Sequence, residues 1–182
     1  MQSIPDNVRS LAREIRLVIF DVDGVLTDGR LYFDNQGGES KAFYAKDGLG
    51  MKMLMQGGVE VGIITARSAP LVARRMANLG IPHLYQGQAD KVPAFEEMIE
   101  KLGVTAQQTA YVGDDLIDLP VMSQVGLAIA VADAHEAVIE RSHWTTPKAG
   151  GVGGARDACD LILEAQGKLQ AMVEGQVRGL TN

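Results

Sequence analysis

Residues Leu17-Val18-Ile19-Phe20-Asp21-Val22-Asp23-Gly24-Val25-Leu26-Thr27-Asp28 hold the reading that decides the fold. A short run of uninterrupted apolar residues, bulky and β-branched, fits a strand buried on both faces, as in a parallel sheet. It stops on Asp21, and ligands of open α/β sheets sit beyond the carboxyl ends of strands. Residues two apart in an extended segment point the same way, so Asp21 and Asp23 can face one site. Gly24 then lets the backbone turn its N–H groups towards an anion. A calcium loop is the competing reading, but position twelve counted from Asp21 is Tyr32, not the Glu that such a loop requires.

Outward from this stretch, apolar runs alternate with amphipathic ones. Val59–Ile64, Ala110–Val112 and Leu127–Val131 read as further buried strands. Ser68 is placed to cap a helix with Pro70 in its first turn and Gly80 past its end. Asp90–Leu102, stopped by Gly103, reads as a second helix, and Leu116–Gln124 as a shorter one. The rhythm predicts an α/β, Rossmann-like three-layer α/β/α sandwich with a mostly parallel sheet.

The 182 residues fit a single domain spanning 1–182. No run has the roughly 18 uncharged apolar residues of a membrane helix, and the first residues contain no apolar leader, so a membrane or secreted protein is not expected. One cysteine, Cys159, fits a reducing, cytoplasmic setting and forbids an internal disulfide. A formal charge of −6 argues against binding nucleic acid.

Two segments break the rhythm. Residues 29–46 read as a β-hairpin, with Leu31-Tyr32-Phe33 and Ala42-Phe43-Tyr44 as arms around a turn in Asp34–Gly38. Its arms carry more bulky side chains than an isolated pair of strands can bury, which points to oligomerisation. Residues 148–182 read as a flexible, Gly-rich stretch followed by a last helix near Ala155–Glu174. No segment is long enough for a large cap domain, so a neighbouring subunit is the economical means of excluding water from the site, a hairpin folded on its own domain being the plain alternative.

Further chemistry sits at the other strand ends. Thr65-Ala66-Arg67-Ser68 offers a hydroxyl and N–H groups for an anion. Lys91 stands at the head of a helix, where a solvated lysine is slightly unfavourable. Gly113-Asp114-Asp115-Leu116-Ile117-Asp118 places acids at a helix start, where capping is the plain alternative. His83, His135 and His143 lack metal-ligand spacing. Cys159 and the group Met51, Met53 and Met55 read as buried packing.

Together these residues resemble the four motifs of the haloacid dehalogenase superfamily, in order and in strand context over about residues 16–131. The resemblance implies that Asp21 is a nucleophile towards phosphorus. Asp23 fits a general acid and then a base, binding substrate protonated because the phosphate, Asp21 and Asp114 already exceed the positive charge of Mg²⁺ and Lys91. The resemblance also implies that Thr65 and Lys91 hold phosphate oxygens, and that Mg²⁺ is held by Asp21, the Asp23 carbonyl and Asp114. Asp115 and Asp118 then act from behind these groups.

With the hairpin, Lys46-Asp47-Gly48 and the Gly-rich tail, the chain is similar to a capless, homotetrameric branch of sugar phosphatases. That branch serves lipopolysaccharide precursor synthesis. An acidic sugar phosphate is the implied substrate, with Gly24, Ala66 and Arg67 as contacts and Arg156 or Lys148 reaching from a neighbour's tail. Rival readings are a phosphatase for a nine-carbon acid sugar phosphate, a phosphoacceptor signalling domain, and a non-catalytic assembly module.

Overall fold

A computed structural model of the chain describes residues 4–177. Its first elements are helix α1 (Asp6–Arg13), strand β1 (Leu17–Phe20) and the short strands β2 (Tyr32–Phe33) and β3 (Glu39–Ser40). Helix α2 (Ala45–Gln56), strand β4 (Glu60–Ile64), helix α3 (Pro70–Leu79), strand β5 (His83–Tyr85) and helix α4 (Val92–Leu102) follow. Strand β6 (Thr109–Gly113), helix α5 (Leu119–Met122), strand β7 (Leu127–Ala130), helix α6 (Glu136–Ile139) and strand β8 (Trp144–Thr145) come next. Helices α7 (Gly154–Ala165) and α8 (Leu169–Val177) end the described chain.

Six strands form one parallel sheet in the order β5-β4-β1-β6-β7-β8. The first strand is central, and all four of its residues are buried because helices cover both faces of the sheet. In register, Phe20 lies beside Ile63 on one side and Val112 on the other. The chain crosses from β1 to β4 on one side and later returns to β6 on the other, which leaves a crevice at the carboxyl ends. Helices α1, α2 and α7 pack together as one layer, and α4 packs with α5 in the other. The α/β/α sandwich and its mostly parallel sheet are therefore as the alternating pattern predicts.

Several boundaries differ from the sequence reading. Asp34 closes the hairpin turn, its Oδ1 accepting from the N–H groups of Gln36 and Gly38, each at 2.8 Å. Pairing resumes at once, with Phe33 opposite Glu39 and Tyr32 opposite Ser40, so the second arm is Glu39–Ser40 and not Ala42–Tyr44. Phe43 instead turns onto the core, and Arg75 lies over its ring at 5.9 Å.

Helix α3 starts at Pro70 with Ala69 before it. The residue preceding a proline is held extended, so Ser68 is one position too early to cap. Helix α4 begins at Val92, whose N–H donates to Asp90 Oδ1 at 3.1 Å. The short helix expected over Leu116–Gln124 is a 3₁₀ turn at Leu116–Asp118 followed by α5. The last helix is divided at Gly167, whose φ of +68° ends α7.

The Gly-rich stretch, read as flexible, is packed against the loop after β1 in its own chain. The Gly150 N–H donates to Asp133 Oδ1 at 2.9 Å and the Gly151 N–H to the Val25 carbonyl at 3.0 Å. A Cβ at Gly150 would overlap the Gly24 carbonyl, and one at Gly151 would lie 2.8 Å from the Thr27 carbonyl oxygen. These glycines let two backbones touch. The part of the tail at residues 178–182 lies outside the described residues.

Candidate active site

Three adjacent strand ends meet at one cleft of about 250 Å³ lined by Asp21, Asp23, Gly29, Leu31, Thr65, Ala66, Arg67, Asp114, Asp115 and Ile117. Strand β1 delivers Asp21, whose N–H donates to the Val112 carbonyl at 3.1 Å. Strand β4 delivers Thr65, and β6 delivers Asp114. Gly24 has φ +93°, and a Cβ there would collide with the Asp114 carboxylate, so a glycine brings this loop against β6. The Gly24 N–H faces Thr27 Oγ1 at 3.4 Å.

Lys91 is buried at the start of α4 and points under the acids. Its Nζ is 3.0 Å from Asp21 Oδ1 and donates to Asp118 Oδ1 at 2.7 Å and to the Tyr111 hydroxyl at 3.2 Å. The Tyr111 hydroxyl in turn donates to Asp118 Oδ1 at 2.7 Å. Asp118 Oδ2 accepts from the N–H groups of Asp114 and Asp115 at 2.9 and 3.2 Å. Both oxygens of Asp118 are thus engaged, and its work is to hold Lys91 and the backbone that carries Asp114. Burial opposes the charge on Lys91, yet Asp21 and Asp118 together hold its pKa above the ordinary lysine value. Asp115 is exposed and accepts from the Leu116 N–H at 2.7 Å, a local cap.

The fit to a hard cation can be read from the acids themselves. Asp21, Asp114 and Asp118 each offer an oxygen within 4.8 Å of the others. Asp114 Oδ1 is buried with no hydrogen-bond partner, and Asp21 Oδ1 meets only the Lys91 ammonium. Burial first, then the Asp118 charge, pushes Asp21 up to about 7 despite Lys91. Burial, followed by the charges of Asp118 and Asp21, pushes Asp114 up to about 8. Two crowded carboxylates, one with a buried oxygen left unpartnered, are a poor arrangement for a dry core and a good one for a divalent ion with oxygen ligands. The residues present fit Mg²⁺.

Asp23 faces the same cleft but is surrounded by cations. Lys41 Nζ forms an ion pair with Asp23 Oδ1 and lies 3.1 Å from Glu39 Oε1, and its side chain is only 1% exposed. Arg67 reaches Glu39 Oε1 at 3.1 Å and Asp23 Oδ2 at 3.9 Å. The sequence reading names Mg²⁺ and Lys91 as the positive charges at the reacting centre, and Lys41 adds one beside Asp23. The hydrogen bond from Lys41, with Arg67 beside it, holds the Glu39 carboxyl below the usual range. Lys41, Glu39 and Tyr111 were missed because a lone charge in a hairpin and a tyrosine inside a strand carry no spacing signal.

Arg156 does not line this cleft. Its Nε donates to Asp160 Oδ1 at 2.8 Å and its N–H to Asp47 Oδ1 at 2.9 Å, in the first turns of α7. His135 Nδ1 accepts from the Ala137 N–H and His143 Nδ1 from the Ala128 N–H, which are local structural tasks. Cys159 is buried, and burial pushes its thiol far up.

A family model described as haloacid dehalogenase-like hydrolase matches residues 80–154. The chain belongs to the haloacid dehalogenase-like hydrolases. Among its relatives is the 3-deoxy-D-manno-octulosonate 8-phosphate phosphatase of Salmonella typhi, 53% identical over 91% of this chain and 88% of that protein. The phosphatase of the same name from Yersinia pestis has a crystal structure that superposes with a TM-score of 0.91 at 51% identity, covering 92% of this chain and 90% of that one. The Moraxella catarrhalis phosphatase, solved with magnesium ion, phosphate ion and a KDO molecule, gives a TM-score of 0.92 at 41% identity, covering 94% and 98%.

Proposed function

We propose that this chain hydrolyses 3-deoxy-D-manno-octulosonate 8-phosphate to the free acid sugar and inorganic phosphate, with Mg²⁺ as its cofactor. The observation that carries this reading is the meeting of Asp21 and Asp114, from two adjacent strand ends, with buried Lys91 from the start of α4, in a chain whose relatives are phosphatases for that compound. Asp21 and Asp114, with the Asp23 main-chain carbonyl, would hold the ion. Bound there, it supplies positive charge against the repulsion between a carboxylate and a phosphate dianion.

The chain's own residues account for the remaining steps. An Asp21 oxygen attacks phosphorus while the bond from phosphorus to the sugar oxygen breaks, and Asp23 gives its proton to that departing oxygen. Lys91, fixed by Asp118 and Tyr111, steadies the nucleophile and the spreading phosphoryl charge, and Thr65 donates from the opposite rim. Water then attacks the aspartyl phosphate, Asp23 takes its proton, and the bond to Asp21 breaks. Arg67 on the cleft rim fits the sugar's carboxylate.

Two further parts of the reading concern setting. A homotetramer in the cytoplasm is supported by the exposed Leu31, Tyr32 and 65%-exposed Phe33 of the hairpin, and by one buried free cysteine. Among the described residues no helix is long and apolar enough to cross a membrane. Arg156, distant from its own cleft, would contact substrate only in a neighbour's. Sedimentation at micromolar concentration checks the assembly, and a monomer would remove it.

The test of function is a panel of acidic and neutral sugar phosphates assayed with and without Mg²⁺, with Asp21→Asn as the blank. Release of phosphate is expected to be fastest from the eight-carbon acid sugar phosphate and lost in the blank. Equal rates on neutral sugars would overturn the substrate assignment. A phosphoryl group that stayed on Asp21 for minutes would favour a signalling domain.

A further inference from the structure

Glu39, Lys41, Asp23 and Arg67 form a group of alternating charge at the mouth of the cleft, and one oxygen organises it. Glu39 Oε1 takes both Arg67 and Lys41, each at 3.1 Å, while Lys41 also pairs with Asp23. Two acids and two bases leave the group neutral as it stands. Arg67 and Asp23 line the cleft, whereas Glu39 reaches Arg67 from the hairpin outside it. Arg67, 41% exposed, is therefore already paired with an acid of its own chain.

The geometry points to Glu39 as a placeholder for the substrate's carboxylate, and so to a residue that sets the preference for acidic over neutral sugar phosphates. The inference rests on the reading above that Arg67 receives that carboxylate. When the Glu39 carboxylate withdraws, the Arg67 guanidinium loses its nearest acid, with Asp23 Oδ2 left at 3.9 Å. A substrate carboxylate takes that place, and a neutral sugar does not. Exchange is cheap because exposed ion pairs of this kind contribute little. Lys41, buried beside Asp23, keeps Glu39 within reach and re-covers Arg67 when the product leaves.

The same contacts tie the hairpin down. Its apolar side chains Leu31, Tyr32 and Phe33 are exposed, and the Tyr32 hydroxyl donates to Asp28 Oδ2 at 3.0 Å. Exchange at Arg67 therefore needs only the Glu39 side chain to turn away, with the hairpin's apolar side chains left in place.

The experiment compares kcat/KM for 3-deoxy-D-manno-octulosonate 8-phosphate and for a neutral hexose phosphate in the wild type, Glu39→Gln, Arg67→Ala and the double variant. Glu39→Gln removes the competing charge, so the acidic-to-neutral ratio is expected to rise two- to fivefold, carried by a lower KM. Inhibition by the free acid sugar is expected to tighten by a similar factor. In the Arg67→Ala background the substitution at Glu39 is expected to leave the ratio where Arg67→Ala alone puts it. An unchanged or lower ratio in Glu39→Gln overturns the placeholder role, as does a rise that persists without Arg67. If Arg67→Ala itself leaves the ratio at the wild-type value, the carboxylate reading of Arg67 fails, and the placeholder role fails with it.

Discussion

Gly24 and Asp114 approach so closely that a side chain on the glycine would overlap the carboxylate, and even Asp114 Oδ1 would stand only 2.9 Å from the new Cβ. The loop after β1 and the end of β6 are thereby locked at the spacing that puts Asp21 and Asp114 on one side of the cleft.

Gly24→Ala should therefore be severe. The residue has φ +93°, which strains any L side chain, and the added methyl displaces Asp114. A displacement of about 1 Å at a reacting group can cost about 100-fold in rate. The expected result is a fall in kcat/KM of that order, with the dependence on Mg²⁺ concentration moved to higher values. Steady-state kinetics across a magnesium series reads both.

Mg²⁺ should stabilise the fold in a pH-dependent way. Asp21 and Asp114, raised to about 7 and 8, are protonated at pH 6 in the folded chain without metal. Their raised values favour the folded state at low pH, and that stability is lost as pH climbs from about 4 through 8. An ion must expel those protons at pH 6 but not above 8, so its binding strengthens across that interval. A ligand at about 100 times its dissociation constant adds about 2.7 kcal/mol, or roughly 5–10 °C in Tm for a chain of this size. Differential scanning fluorimetry should show that shift at pH 8, a smaller one at pH 6, and none in Asp114→Asn.

Lys41→Met should damage the chemistry more than the fold. The lysine directly follows β3 and holds Asp23 by an ion pair, so its loss frees the proton donor to rotate. The expected fall in kcat/KM for the sugar phosphate is about tenfold or more, with partial recovery in Lys41→Arg. With p-nitrophenyl phosphate, whose leaving group needs no proton, the loss should be smaller. Equal losses on both substrates would assign Lys41 to structure alone.

Asp47 makes a separate prediction about stability. It is buried in α2 with Oδ2 unpartnered, while Oδ1 accepts from the Arg156 N–H, and burial raises it to about 6. A raised carboxyl favours the folded state below about pH 4 and loses that contribution as pH rises to 6. Asp47→Asn keeps an acceptor for the Arg156 N–H and carries no charge to bury. Its Tm relative to the wild type should rise by about 2–4 °C between pH 4 and pH 8. Thermal melts across that range would contradict the account if the difference were flat.

How much of this was legible beforehand depends on the kind of signal each residue carries. Strand β1 and its terminal Asp21 were readable because a continuous apolar run ending on an acid has few other uses. Gly80 and Gly103, both left-handed at helix ends, were readable for the same local reason. The second hairpin arm was misplaced because Phe43 looks like a strand residue, while the Asp34 turn restarts pairing at Glu39 and frees Phe43 for the core. The Gly-rich stretch reads as loose in sequence, since glycine's lack of a side chain serves flexibility and close packing equally well. Only the contact with the Gly24 loop distinguishes the two.

The order of strands and helices and the acids at the strand ends followed from the chain alone, while the type of chemistry came from the resemblance of its motifs to a known family. The first two depend on periodicity and on chemical type, both of which are local properties. Which cation faces which acid was decided by the folded arrangement. Lys41 beside Asp23, Glu39 over Arg67, and Tyr111 and Lys91 on Asp118 join residues from 7 to 28 positions apart. Electrostatic interaction falls off with distance in space and takes no account of separation along the chain, so such pairs leave no trace in the sequence.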